Sequence, residues 1–165
     1  MATVHLICGS TGAGKTTYAT ALAQRTRGIR FTIDEWMATL YLPDRPSPGS
    51  LEWAIERIDR CERQIWTLAE QLLARNIDVV LDLGLSTRDD RDRMRMRAAQ
   101  TSAESKLHYL DVSRTTRRRR VLERNFVMPR THPFEVSDAM FDAMEAWFEP
   151  PTDDELYGAM IVCED

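Results

Sequence analysis

Short apolar runs alternate with longer stretches of helical periodicity along this chain. Residues 4–8 are apolar with β-branched members and lead straight into Gly9, which predicts a buried strand. Residues 15–25 predict a helix, with Ala19, Leu22 and Ala23 on one face and Gly28 as its stop signal. A second strand is predicted over 29–33, ending in Asp34 and Glu35, followed by a short helix over 36–40. The proline-rich segment 43–50 is the clearest breaker and reads as a mobile loop, because the flanking pieces are too small to fold alone. The longest amphipathic pattern covers 51–75, where Leu51, Ile55, Ile58, Ile65, Leu68, Leu72 and Leu73 recur at helical steps. Beyond it come a strand over 78–83 interrupted by Asp82, a charged helix over 87–103 and a strand over 107–112. An arginine-rich helix over 113–126, a helix over 133–148 and a closing strand over 159–163 complete the pattern. Short strands separated by helices predict an α/β fold, a parallel sheet covered on both faces.

The 165 residues suit a single domain over 1–165, and 43% hydrophobic with 29% charged residues exclude a disordered chain. No apolar run approaches the roughly 18–20 residues of a membrane helix. The opening MATVHLIC has no basic leader region, so the expected location is cytoplasmic, without membrane contact. Cys8, Cys61 and Cys163 are too widely spaced for a metal motif or a disulfide framework. The net charge of −4 hides an asymmetry: of 22 basic residues only Lys15 and Lys106 are lysines, and six arginines fall within 114–124. Residues 137–165 contain nine carboxylates and no Lys or Arg. A basic footprint for duplex DNA is therefore excluded, while a local cluster for phosphate groups is not.

The sharpest chemical signal is GSTGAGKT, residues 9–16, which fits G-x-x-x-x-G-K-[ST] at every fixed position, between a predicted strand and a predicted helix. Gly9, Gly12 and Gly14 let the backbone bend close to a polyphosphate. The N–H groups of Ser10, Thr11, Ala13 and their neighbours then form an anion nest, and the following helix adds its positive end. Lys15 supplies a point charge to the β- and γ-phosphates, Thr16 offers a hydroxyl to Mg2+, and Thr17 closes the segment. The expected ligands are ATP and Mg2+.

Two carboxylates are expected outside the carboxyl ends of strands, where ligands gather in open parallel sheets. Asp82 ends an apolar run and is the expected metal partner of Thr16, directly or through water; the plainer reading is a carboxylate capping a turn. Asp34 can take the proton of an acceptor hydroxyl, with Trp36 beside it; the plainer reading is a helix N-cap. Arg117, Arg120 and Arg124 share one helix face, and three cations there repel unless anions or carboxylates join them. Arg120 and Arg124 are assigned to phosphate contact, and Arg114, Arg118 and Arg119 to a solvated surface. His5 and His108 are read as structural, His132 as a weak substrate candidate. Residues 88–97 read as a solvated helix laced with ion pairs. Trp53, Trp66 and Trp147 are core or cleft-wall candidates.

Together these residues resemble the small P-loop kinase-like proteins that include polynucleotide kinase domains, chloramphenicol phosphotransferase and zeta toxins. The resemblance runs through CGSTGAGKTTYA, FTIDEWMATLY, VVLDLGLSTRDDR, LDVSRTTRRRRVLERN and DAMFDAMEAWFEPPTDDE. It implies a P-loop NTP hydrolase fold: five parallel strands, the P-loop strand near the middle, and a short lid over about 117–133. It implies that Asp34 is the catalytic base, that Arg120 lies by the adenine and that Arg124 reaches the phosphates beside Lys15. Arg130 is a further lid candidate. DEWMATLY lacks the arginine with which polynucleotide kinase members hold a nucleic-acid phosphate, which disfavours a polynucleotide acceptor. The resemblance therefore implies an ATP-dependent phosphotransferase acting on a hydroxyl of a small molecule. The alternatives are a P-loop ATPase or nucleotide-dependent switch, and a nucleic-acid 5′-hydroxyl kinase.

Overall fold

In the computed structural model, residues 1–47, 50–127 and 136–164 are described. The first strand, β1 (Thr3–Cys8), is buried from Val4 onward, as a strand covered on both faces must be. It sits at the centre of a five-stranded parallel sheet with β2 (Ile29–Thr32), β3 (Val79–Asp82), β4 (Glu104–Val112) and β5 (Met160–Glu164), in the order β2-β3-β1-β4-β5. The chain winds first to one side of β1 and then to the other, so the sheet reverses direction at the carboxyl end of β1, where open α/β sheets bind ligands. The register pairs Leu6 with Leu81 and Thr32 with Asp82, which brings Asp82 to the top edge of the sheet between β1 and β2.

The helices are α1 (Lys15–Thr26), α2 (Ile33–Leu40), α3 (Leu51–Leu73), α4 (Arg88–Ala99), α5 (Arg114–Val127), α6 (Asp138–Trp147) and α7 (Asp153–Leu156). Alternation along β1 divides the core. Val4, Leu6 and Cys8 pack with Cys61, Ile65 and Trp66 of α3 and Met94 of α4. Ile7 packs on the opposite face with Val80, Leu110 and the α1 residues Ala19 and Leu22. Val121, Val136 and Phe141 form a satellite core between α5 and α6. No helix among the described residues is long and apolar enough to cross a membrane.

Several boundaries differ from the sequence reading. The second strand stops at Thr32, which is extended (φ −129°) and N-caps α2, so Asp34 and Glu35 lie within the first helical turn and Asp34 is not the cap. Carboxylates are favoured there by the positive end of the helix. The helix expected over 87–103 stops at Ala99, and β4 begins at Glu104 because it pairs with β1 from Thr3 onward. The helix expected from 133 starts at Asp138, capped by the Ser137 hydroxyl, while 133–135 lie outside the described residues. The proline-rich segment contains a 3-10 turn over Leu42–Asp44. The reading of α4 as a solvated helix holds for pairs such as Arg95–Asp92 (2.8 Å), and Met94 packs as its type suggests, but the reading fails for Arg91. Arg91 and Met94 are fully buried. The Arg91 guanidinium grips Glu155 of α7 at 2.7 and 2.9 Å and donates to the Glu149 carbonyl at 2.9 Å. Trp66 is a core residue, whereas Trp147 is 69% exposed and contributes nothing to the core. His5 and His108 are buried and joined (Nδ1 to Nε2, 2.9 Å), with the Tyr18 hydroxyl on the other His108 nitrogen at 2.8 Å. Burial, followed by the charge of His5, holds His108 down to about 4, so it stays neutral. Cys8, Cys61 and Cys163 are free thiols.

Candidate active site

The glycine-rich segment joins β1 to α1 as a tight cradle. Gly14 takes the N-cap position of α1 at φ 87°, a conformation side chains rarely adopt, and brings no side-chain cap. With no acidic residue in the first turn, the N–H groups of α1 are left for an external anion. Gly12 is required for a second reason: a Cβ there would lie 2.5 Å from the Arg117 carbonyl oxygen. The cradle is thus bedded directly on α5. Lys15 curls over its own loop, its Nζ donating to the carbonyls of Gly9 (2.8 Å) and Ser10 (3.2 Å). Burial lowers the pKa of this ammonium, against the pull of Asp82 and then Asp34.

Thr16 and Asp82 meet as the motif suggested, Oγ1 donating to Oδ2 at 2.8 Å. Asp82 is 5% exposed, and burial raises its pKa against the opposing effects of the Thr16 hydrogen bond and Lys15. A buried carboxylate beside a hydroxyl is a hard oxygen pair, and a divalent cation would offset the cost of burying the charge. Among the described residues no group of three or more His, Cys, Asp or Glu could hold a metal. Thr16 and Asp82 are the described residues placed to hold such a cation.

Asp34 is exposed near the end of β2, and its charge acts on both Lys15 and Asp82. The neighbouring Glu35 is tied to Arg30 at 2.6 Å. Trp36 is half-buried, its ring edge-on to Phe31 with centroids 6.4 Å apart, and it packs against the main core two residues on from Asp34 in sequence.

The three arginines on one face of α5 have different surroundings. Arg120 reaches over the cradle, its Nη1 3.8 Å from the Cβ position of Gly14. Arg124 is half-buried one turn further on. Arg117 is engaged by protein: it donates to the carbonyls of Val112 (2.8 Å) and Thr11 (3.3 Å) and pairs with Glu145 (2.7 Å). The repulsion expected among the three is thus relieved in part by a carboxylate from α6. Arg114 and Arg118 pair with Asp142 (2.7 Å) and Asp138 (2.9 Å) on the surface, as read. Arg130, His132 and the lid beyond 127 lie outside the described residues.

Sequence reasoning missed α6 as a neighbour of the cradle. The Ser10 hydroxyl donates to Glu145, and Thr11 Oγ1 lies 3.2 Å from the Met144 sulfur. Arg117, then the Ser10 hydroxyl, hold the Glu145 carboxyl below its usual range against the effect of burial. The one hint available was a base-free acidic tail opposite an arginine-rich helix.

Residues 4–151 match the model of the family AAA_33, described as an AAA domain. The chain belongs to that family. No protein of curated function matches it in sequence. Solved structures similar to this member of the family include Kti12 of Chaetomium thermophilum in complex with ADP-AlF3, at TM-score 0.66 and 16% identity, over 98% of this chain and 88% of that one. The APS kinase of Mycobacterium tuberculosis, in complex with AMPPNP and APS, gives 0.65 and 14%, over 99% and 89%. A gluconokinase of Sinorhizobium meliloti gives 0.63 and 16%, over 97% and 81%. At these identities the likeness establishes the fold, that of P-loop kinases, and the expected five-stranded parallel sheet is borne out.

Proposed function

We propose that the protein transfers the γ-phosphoryl group of ATP to a hydroxyl of a small-molecule acceptor. The observation that carries this reading is the exposed Asp34 carboxylate, whose charge is felt by both Lys15 and Asp82. A cradle and a metal donor suffice for holding or hydrolysing a nucleotide. A second carboxylate near them is what transfer to an alcohol adds. Two of the structural neighbours, a gluconokinase and an APS kinase, support the small-molecule class.

In this reading Gly9 to Thr17 hold the triphosphate, with Thr16 and Asp82 on the Mg2+ side. A bound cation there would neutralise negative charge on the phosphates. Asp34 orients the acceptor hydroxyl and takes its proton as the new O–P bond forms and the bond to the ADP oxygen breaks. Lys15 and Arg124 stabilise the charge on the moving phosphoryl group, and Arg120 flanks the nucleotide. Trp36 and residues 43–47 line the acceptor side in this reading; the lid expected over 117–133 lies beyond residue 127 outside the described residues.

The test is transfer of label from γ-labelled ATP to a panel of nucleosides, sugars, aminocyclitols and a 5′-hydroxyl oligonucleotide. Stimulated transfer to a small molecule, abolished by Asp34→Ala with ATP affinity intact, is expected. An Asp34→Ala variant that transfers at the wild-type rate removes the base assignment. ATP turnover indifferent to every acceptor replaces the reading with an ATPase or switch, and label on the oligonucleotide replaces it with an end kinase.

A further inference from the structure

An anion nest works only if successive backbone N–H groups point one way, which turns their carbonyls the other way, into the protein. Those carbonyls need partners there. In this structure Lys15 donates to the carbonyls of Gly9 and Ser10, the latter also accepting the Ala13 N–H, but the same ammonium is needed at the phosphates once a nucleotide enters. Arg117 holds the next carbonyl, that of Thr11, from behind the loop and cannot be called to the phosphates without breaking three other bonds. Its guanidinium bridges Thr11, the last carbonyl of β4 at Val112, and both oxygens of Glu145. Glu145 in turn neutralises a cation that is only 8% exposed and accepts the Ser10 hydroxyl. The backbone of Arg117 also presses on Gly12, leaving no room for a Cβ.

We propose that Arg117 and Glu145 are positioning residues for the nucleotide: they hold residues 10–12 with carbonyls turned into the protein and N–H groups turned toward the nest, so that the phosphate nest is formed before ATP arrives. The pair touches no phosphate. It acts through the Thr11 carbonyl and the Ser10 hydroxyl, and ties the α5–α6 hairpin to the loop. The inference rests on the nucleotide-binding part of the proposed function and on none of the acceptor chemistry.

The test measures binding directly. A fluorescent ATP analogue with Mg2+ is titrated into the wild type and into Glu145→Gln, Arg117→Ala, Arg117→Lys and Arg118→Gln. Thermal unfolding without nucleotide and ATP turnover at saturation are followed in parallel. Glu145→Gln and Arg117→Ala are expected to raise Kd by about tenfold or more, with saturated turnover within about threefold of wild type. Arg117→Lys does not rescue, because a compact ammonium cannot span two carbonyls and a carboxylate. Arg118→Gln removes an exposed α5–α6 pair (Arg118–Asp138) that makes no contact with the loop, and leaves Kd within about twofold. If Arg117→Ala does not fold, Glu145→Gln carries the test alone. A folded Glu145→Gln with wild-type Kd overturns the proposal. So does an Arg118→Gln variant weakened equally, which would assign the effect to general loosening of the hairpin. Collapse of turnover at unchanged Kd also overturns it, by putting Arg117 on the transferred phosphoryl group. A wild type that binds no nucleotide overturns the kinase reading itself, a result distinct from binding that the variants leave unchanged.

Discussion

Replacing Glu155 by glutamine should destabilise the fold by about 3 kcal/mol at neutral pH, and the deficit should vanish in acid. Glu155 is 6% exposed and accepts two hydrogen bonds from the fully buried Arg91, with a third from Arg95 at 2.9 Å. Burial pushes its carboxyl up, but Arg91, the Thr152 backbone N–H and Arg95 together pull it from 4.5 down to about 2. At about 1.36 kcal/mol per unit, that depression corresponds to roughly 3 kcal/mol of folding free energy. An independent route gives the same size, since removing one partner of a buried pair costs about 3–5 kcal/mol. A depressed carboxyl stabilises the folded state fully above its unfolded value and loses that contribution as pH falls through its folded value. The wild-type advantage should therefore be complete above about pH 5 and fade toward pH 2. Urea unfolding of both proteins between pH 7 and pH 3 measures it as a difference in midpoint at constant slope. A deficit below about 1 kcal/mol at pH 7, or one that does not shrink in acid, would refute the reasoning.

Three further outcomes are expected. Gly12→Ala combines a left-handed backbone with a Cβ 2.5 Å from the Arg117 carbonyl, so it should cost about 2–4 kcal/mol and lower the melting temperature by several degrees. Differential scanning calorimetry reads this directly, and a melting temperature equal to wild type contradicts the close fit. Asp82→Asn removes a buried charge that burial already disfavours, so stability without metal should change by less than about 1 kcal/mol. The dependence of nucleotide affinity on Mg2+ should disappear in the same variant, as isothermal titration with and without the cation would report. Arg124→Gln should slow transfer by about 10- to 1000-fold while changing ATP affinity little, a split that steady-state kinetics resolves.

The element order, apart from α7, and the cradle were legible because each is written locally. A β-branched run, a glycine-rich turn and a helical stripe need no partner to be recognised, and the Thr16–Asp82 meeting follows from strand-end positions in a parallel sheet. What was not legible depends on which face of a charged helix meets protein. Arg91 sits among arginines that look alike in sequence, yet it alone of its neighbours is sealed under α7, because Glu155 lies 64 residues later and nothing nearby marks the pairing. The same holds for Arg117 and Glu145, read as one cation among several and one acid in a tail. The start of α2 was misjudged because Thr32 is a poor local signal, and the strand ends there only when its pairing with Asp82 does.

The adjacency of β3 and β1 has a consequence for how such a protein can diversify. Asp82 ends β3 in the ladder beside β1, and Thr16 reaches it from the first turn of α1, which the glycine-rich loop ties to the end of β1, so one oxygen of the pair inherits the rigidity of the sheet directly and the other through that short loop. Among the described residues beyond Asp34, α2, residues 41–47 and the first turns of α3 lie outside that ladder. Under the proposed phosphotransferase reading, insertions or substitutions in this outer arm would reshape what is admitted while the inner geometry keeps its tolerance, a division of labour between a fixed anvil and an exchangeable jaw.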